Sequence, residues 1–245
     1  MIGVLSLVFF ILLIIVGKER GIKTFITFYL NLFLIMLYLT FINLGMNAII
    51  LSIITCVLAS FISLFILNGF NKKTLSSFIS IIFVLLFVFI IICLISNYSN
   101  IQGFSFESVE TIGAYSFNIN YKMKDVIIGM YLICVIGTII DTSISISSSM
   151  KEINDNNKKI TKKELYYSGM NVGNDILNTT INTLFFALVS SFIGFILWHK
   201  GYSLEYIINY KSFAQSAIEL LIAFIGSILI IPITAYISSI ILKRK

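Results

Sequence analysis

Charge-free apolar stretches divide this chain into lengths suited to a membrane. Met1 to Gly17 carries no charged residue, and Thr24 to Asn71 carries none over 48 residues. A spanning helix needs about 20 mostly apolar residues, so the second stretch is too long for one span. Its interruption at Asn43-Leu-Gly-Met-Asn47 predicts a turn between two helices. Four further apolar runs follow, beginning near Ser76, Val126, Ile176 and Ala217. The pattern predicts an all-α polytopic bundle, a single membrane domain over 1–245, with spans 1–17, 25–43, 47–68, 76–97, 126–148, 176–198 and 216–241.

Two connections are more than turns. The segment 98–124 mixes Tyr and Phe with Glu107 and Glu110, and is too short for an independent domain. The segment 150–175 is polar. Within it, Thr161-Lys-Lys-Glu164 fits a capping box. This predicts a short amphipathic helix from Lys162 to the Gly169–Gly173 region, with Leu165, Tyr166 and Tyr167 at the membrane interface. The alternative is a plain connector.

Basic residues give the orientation, because Lys and Arg are enriched in cytoplasmic loops. Placing the N-terminus outside puts Lys18, Arg20, Lys23, Lys72, Lys73, Lys151, Lys158, Lys159, Lys162, Lys163, Lys243, Arg244 and Lys245 inside. Only Lys122, Lys124, Lys200 and Lys211 fall outside. The first span has its basic residues after it and no small-residue cleavage site, so it reads as an uncleaved anchor.

Composition agrees. Mean hydropathy is +1.02. Charged residues make up 11% of the chain, against about 25% in soluble domains. The expected surroundings are therefore a lipid bilayer. The net charge of +6 is explained by basic residues in short loops and does not point to nucleic acid. Cys56, Cys93 and Cys134 all lie in apolar runs, and His199 has no Cys or His neighbour. Neither a disulfide framework nor a metal site is expected, and no cofactor. Signatures of intramembrane proteolysis, serine hydrolysis, zinc hydrolysis and nucleotide binding are missing from the sequence, which argues against an enzyme.

One residue breaks the apolar pattern. Asp141 is the only charged residue between Asp125 and Lys151. A carboxylate within a span costs at least ~2.5 kcal/mol on insertion scales, so a proton, an ion or a partner helix is expected to justify it. Helical spacing puts Gly137, Asp141, Ser145 and Ser148 on one face, widened by Thr138, Thr142, Ser147 and Ser149. Two readings follow. The stripe is a packing seam of small and hydroxyl residues, or Asp141 is a protonatable site, since low dielectric penalises the charged form of a carboxyl.

The sixth span opens with a second polar row, Asn171, Asn174, Asn178 and Asn182, beside Asp175, Thr179 and Thr183. Asparagines facing lipid are costly, so this row is expected to point into the bundle, towards Asp141. In the seventh span, Glu219 reads as a snorkelling acid or as the outer port of a proton path. The proton or ion path candidates are thus Asp141, Ser145, Ser148, Asn178, Thr179, Asn182 and Glu219. Gly137, Gly173 and Gly226 are expected at close helix contacts. Pro232 is expected to kink the last helix.

Several segments together resemble the YibE/F-like family of bacterial multispanning proteins over nearly the whole chain. They are Gly17-Lys-Glu-Arg-Gly-Ile-Lys23, Asn68-Gly-Phe-Asn-Lys-Lys-Thr74, Gly137-Thr-Ile-Ile-Asp-Thr-Ser-Ile-Ser-Ile146 leading to Glu152-Ile153, Glu164-Leu165, Ser168-Gly-Met-Asn-Val-Gly-Asn-Asp-Ile176, Asn182-Thr-Leu184 and Pro232-Ile-Thr-Ala235. The resemblance implies an integral membrane protein of poorly defined function. It also implies pairing, as a homodimer or with a longer YibE/F-like relative. A looser likeness runs to half of an RND-type permease, where an intramembrane Asp carries protons. Asp141 sits at the matching place, but Thr142 follows it where a second acid would stand, and no large external domain is present in this sequence. The expected function is a permease-like subunit with Asp141 as proton carrier. The alternative is a non-transporting scaffold or assembly partner whose polar stripes only specify helix pairing.

Overall fold

The computed structural model describes residues 1–98, 122–198, 201 and 203–243. The segment expected to form the outer loop, with Glu107 and Glu110, lies outside the described residues, as do His199, Lys200, Arg244 and Lys245. The described residues form an all-helical fold: α1 (Ile2–Gly17), α2 (Glu19–Asn43), α3 (Ala48–Phe61) continued by a π turn (Ile62–Ile66), α4 (Lys72–Tyr98), α5 (Met123–Asn156), α6 (Lys162–Trp198), the short α7 (Leu204–Asn209) and α8 (Lys211–Leu242).

Six helices are long and apolar enough to cross a membrane: α2, α3 with its π turn, α4, α5, α6 and α8. The segment expected as the first of seven spans, α1, is helical but shorter than these six. Its 16 residues cover about 24 Å at 1.5 Å per residue, against a hydrocarbon core of about 30 Å. α1 folds back along α2 as an antiparallel hairpin. Ser6 Oγ and Tyr29 OH lie 2.5 Å apart, and the Phe10 and Phe25 rings are 4.4 Å apart. Lys18 alone separates the two helices, at φ 48°. A side chain at Gly21 would collide with the Leu13 carbonyl, so glycine permits the close start of this hairpin.

The turn signals act as the sequence predicts. Gly45 takes a positive φ of 83°. Asn47 caps α3, its Oδ1 accepting from the backbone of Ile49 at 3.0 Å and Ile50 at 3.3 Å. Before α4, Gly69 is also left-handed, at φ 69°. Thr74 Oγ1 accepts from Asn71 N at 2.9 Å, closing that loop.

The expected linker over 150–175 is mostly helix. α5 continues to Asn156 and α6 already starts at Lys162. The capping box forms: Thr161 N donates to Glu164 Oε2 at 2.8 Å, and Glu164 N donates to Thr161 Oγ1 at 3.3 Å. The helix it opens does not stop near Gly173. It runs on as α6, because Gly169 and Gly173 are contact points and not terminators. A Cβ at Gly169 would sit 2.5 Å from Met150 Sδ, and one at Gly173 would strike Ile231. Pro232 stays inside α8.

α5 and α8 form the centre. α8 packs along α4, α5 and α6, while α3 covers another side of α5. Val135, Ile139, Ile146 and Met150 of α5 are buried with Ile230, Ile231 and Ala235 of α8 and with Ile81, Val84 and Val88 of α4. α1 and α2 sit at the edge. α6 is the exception among the long helices, since its apolar window has no buried residue.

Candidate functional site

Two polar regions flank α5, and they lie on different sides of it. The first is a buried hydroxyl seam. Ser76, Ser77 and Ser80 of α4, Ser143 and Ser147 of α5, and Thr234 and Ser238 of α8 are all fully buried. The hydroxyls of Ser77 and Ser147 lie 2.5 Å apart. Ser77 Oγ also donates to the Ser143 carbonyl at 3.2 Å. Thr234 Oγ1 donates to Ser143 Oγ at 3.2 Å, and Ser238 Oγ to Ser76 Oγ at 3.1 Å. These bonds tie three helices together. In hydrocarbon such side-chain bonds hold helices at about 0.6 to 2 kcal/mol each.

Of this seam the sequence reading found only Ser147. The available signal was a four-residue spacing: Ser76 and Ser80, like Ser143 and Ser147, recur one helical turn apart within apolar runs.

The second region holds Asp141. It is exposed, not enclosed between α5 and α6. It lines an open cavity of about 310 Å³ with Gly137, Thr138, Ile176, Thr179, Thr180, Thr183 and Leu184. No Lys or Arg lines this cavity. Asp141 and Thr179 therefore border the same cavity. Ser145 and Ser148 are half-buried and do not line it. Asn178 and Asn182 do not line it either. Both are exposed, as are Asn171, Asn174 and Asp175. The expectation that the asparagine row points at Asp141 is thus corrected. Thr179 and Thr183, not Asn178 and Asn182, turn towards α5.

The packing glycines divide in the same way. A Cβ at Gly226 would lie 2.6 Å from Val135 Cγ1, and one at Gly173 would collide with Ile231. At Gly137 nothing lies within 4 Å. Gly137 is not a packing glycine, because its face of α5 borders the open cavity.

Glu219 lies at a second cavity, of about 260 Å³, nearer the start of α8. Cys134, Leu184, Leu188, Ser191, Phe192 and Ser216 also line it. Glu219 is half-buried, and Cys134 of α5 borders the same cavity. Cys134 precedes Asp141 by about two turns, or about 10 Å, on α5. Leu184 lines both cavities, so the Glu219 end and the Asp141 end adjoin at this residue. Among the described residues, no group of three or more His, Cys, Asp or Glu could hold a metal ion.

The model of the YibE/F-like protein family matches residues 5–244. The chain belongs to the YibE/F-like family. The match takes in every segment that carried the resemblance, and both cavities of this YibE/F-like protein fall within it. No curated protein matches the chain, and no solved structure does.

Proposed function

We propose that this YibE/F-like chain is a permease-like subunit of the bacterial plasma membrane, with Asp141 as a proton carrier and no catalytic chemistry of its own. The observation that carries this reading is the pair of cavities meeting at Leu184, one holding Asp141 and the other Glu219. A carboxyl moves protons across a membrane only if it meets water from each side in turn. Hydroxyls of Thr138, Thr179, Thr180 and Thr183 around Asp141 suit a wet approach from one side. Glu219, Ser191 and Ser216 suit an approach from the other. No basic side chain at the Asp141 cavity competes for the carboxyl.

The lysine distribution supports the orientation. The ends at Lys72 and Lys73, at Lys151 and at Lys243 gather on one side, which becomes the cytoplasmic side. Glu219 then marks the external approach. α1, antiparallel to α2, carries the N-terminus outward.

A scaffold role without transport is the second reading, favoured by the exposed row of Asn178 and Asn182 on α6. Asp141→Asn separates the two. It keeps the size and hydrogen bonding of the side chain and removes the titrating proton. Under the carrier reading, purified protein in proteoliposomes loses its proton flux with Asn at 141 while folding normally. Equal flux with Asp and Asn ends the carrier reading and leaves the scaffold.

A further inference from the structure

α6 and α8 touch closely and then part. A Cβ at Gly173 would strike Ile231, and one at Gly169 would lie 3.1 Å from Ala235 Cβ. About one turn nearer their lysine-bearing ends, a cavity of about 490 Å³ opens between the two helices. Lys162, Lys163 and Tyr166 line it from α6, and Tyr236, Ser239 and Ile240 from α8. Beyond it, Lys243 Nζ donates to the Lys158 carbonyl at 3.1 Å and ties the end of α8 to the connection before α6. The lining is one-sided in charge. Both lysines are exposed, and no carboxylate lines the cavity. Glu164, the acid next to them in sequence, is held at the helix start by the Thr161 backbone. Ser239 is buried, and its hydroxyl donates to the Tyr236 carbonyl at 2.7 Å. The donors the cavity offers an anion are therefore the two ammonium groups and the phenols of Tyr166 and Tyr236.

We infer that this cavity holds the phosphodiester headgroup of one anionic phospholipid. Two cations with no facing carboxylate select negative charge, and lysine serves phosphate as a point charge. The α8 wall selects a lipid over a free anion. Tyr236 and Ile240 are exposed on the last turns of a helix apolar enough to cross a membrane. A ligand seated here has its charged end among the lysines and the rest of its length beside hydrocarbon. Basic pockets between membrane helices bind anionic headgroups in this way. The site differs from the general pull of basic loops on a charged leaflet. That pull depends on charge alone, whereas a wedge with fixed walls also depends on its shape. The proton-carrier reading is not needed for this inference.

Native mass spectrometry of the purified full chain in detergent, with phosphatidylglycerol or phosphatidylcholine added, tests it. The tightest phosphatidylglycerol adduct should be several-fold more occupied than any phosphatidylcholine adduct. Lys162→Gln with Lys163→Gln should lower that occupancy several-fold. Lys158→Gln with Lys159→Gln removes the same charge from exposed positions that do not line the cavity, and should leave it unchanged. Ile240→Trp fills the mouth of the cavity without altering charge, and Trp is at home at a membrane interface. It too should lower the occupancy several-fold. Equal binding of the two lipids overturns the inference. Equal loss in the two lysine pairs reduces it to general charge attraction and overturns it as well, as does native occupancy in Ile240→Trp. Displacement of the lipid by inorganic phosphate at the same concentration would assign the cavity to a free anion instead.

Discussion

Ser77 of α4 and Ser147 of α5 meet with their hydroxyls 2.5 Å apart, in a region where both residues are fully buried. Ser77 also bonds the Ser143 carbonyl, and Ser143 receives Thr234 from α8. Three helices thus share one polar contact, which fixes their rotation about their own axes. That rotation decides which side of α5 carries Asp141 outward.

Removing a member of this contact should loosen the bundle. Ser77→Ala leaves Ser147 with only its weaker bond to the Ile144 carbonyl, at 3.3 Å. The expected loss is about 1 kcal/mol, within the range measured for side-chain bonds between membrane helices. Ser77→Leu should cost more, about 1 to 3 kcal/mol, because the closed seam has no room for the added atoms. Thermal unfolding in detergent checks both. Unchanged stability in Ser77→Leu would show that the seam is not closed.

The glycines provide a contrast within one protein. Gly173→Ala puts a methyl against Ile231, so α6 must move away from α8. A loss of about 1 to 3 kcal/mol is expected from such overpacking. Gly137→Ala meets open space and should stabilise α5 by about 0.5 to 1 kcal/mol, the ordinary helix preference of alanine over glycine. The same unfolding measurement applies, and opposite signs are the expected outcome.

The lysine bias makes a topological prediction. Asn157 is exposed at the connection between α5 and α6, and Lys122 is exposed at the other end of α5. Asn157→Cys should resist an impermeant thiol reagent added outside cells, while Lys122→Cys should react. The reverse labelling would invert the orientation. α1 does not affect this test, because Lys18, Arg20 and Lys23 adjoin the start of α2 whether or not α1 crosses the bilayer.

Element positions were legible in the sequence because the physics that sets them is local. Charge-free length marks the helices, Gly45 and Asn47 mark a turn, and Thr161 with Glu164 marks a helix start. Gly173 and Gly226 were legible as contact points because small residues in apolar helices mark close approach. Which side of a helix meets which neighbour was not legible. Periodicity groups Gly137, Asp141, Ser145 and Ser148, but it does not say whether that group faces inward. Ser143 and Ser147 stand two residues from Ser145 and are rotated from it by about 200°, and they hold the interior. The asparagine row was read inward because lipid penalises amides. That argument holds equally for any protein cover, including one from a second chain.

The last prediction concerns Leu184, the residue shared by the two cavities. If protons pass between Glu219 and Asp141, an apolar barrier must separate the two approaches, or the bundle would leak. Leu184 is half-buried on α6 and stands at that junction. Leu184→Ala shortens the barrier, and the remaining space is large enough to admit water, which needs roughly 15 Å³. Proteoliposomes carrying this variant should dissipate a pH gradient faster than the native protein, read by a trapped pH dye. Leu184→Ile keeps the volume and should hold the gradient. Adding Asp141→Asn to Leu184→Ala tells how the leak runs. A leak that disappears passes through the carboxyl, whereas one that persists is a continuous water path past it. No leak in Leu184→Ala would place the barrier elsewhere and disconnect Glu219 from Asp141.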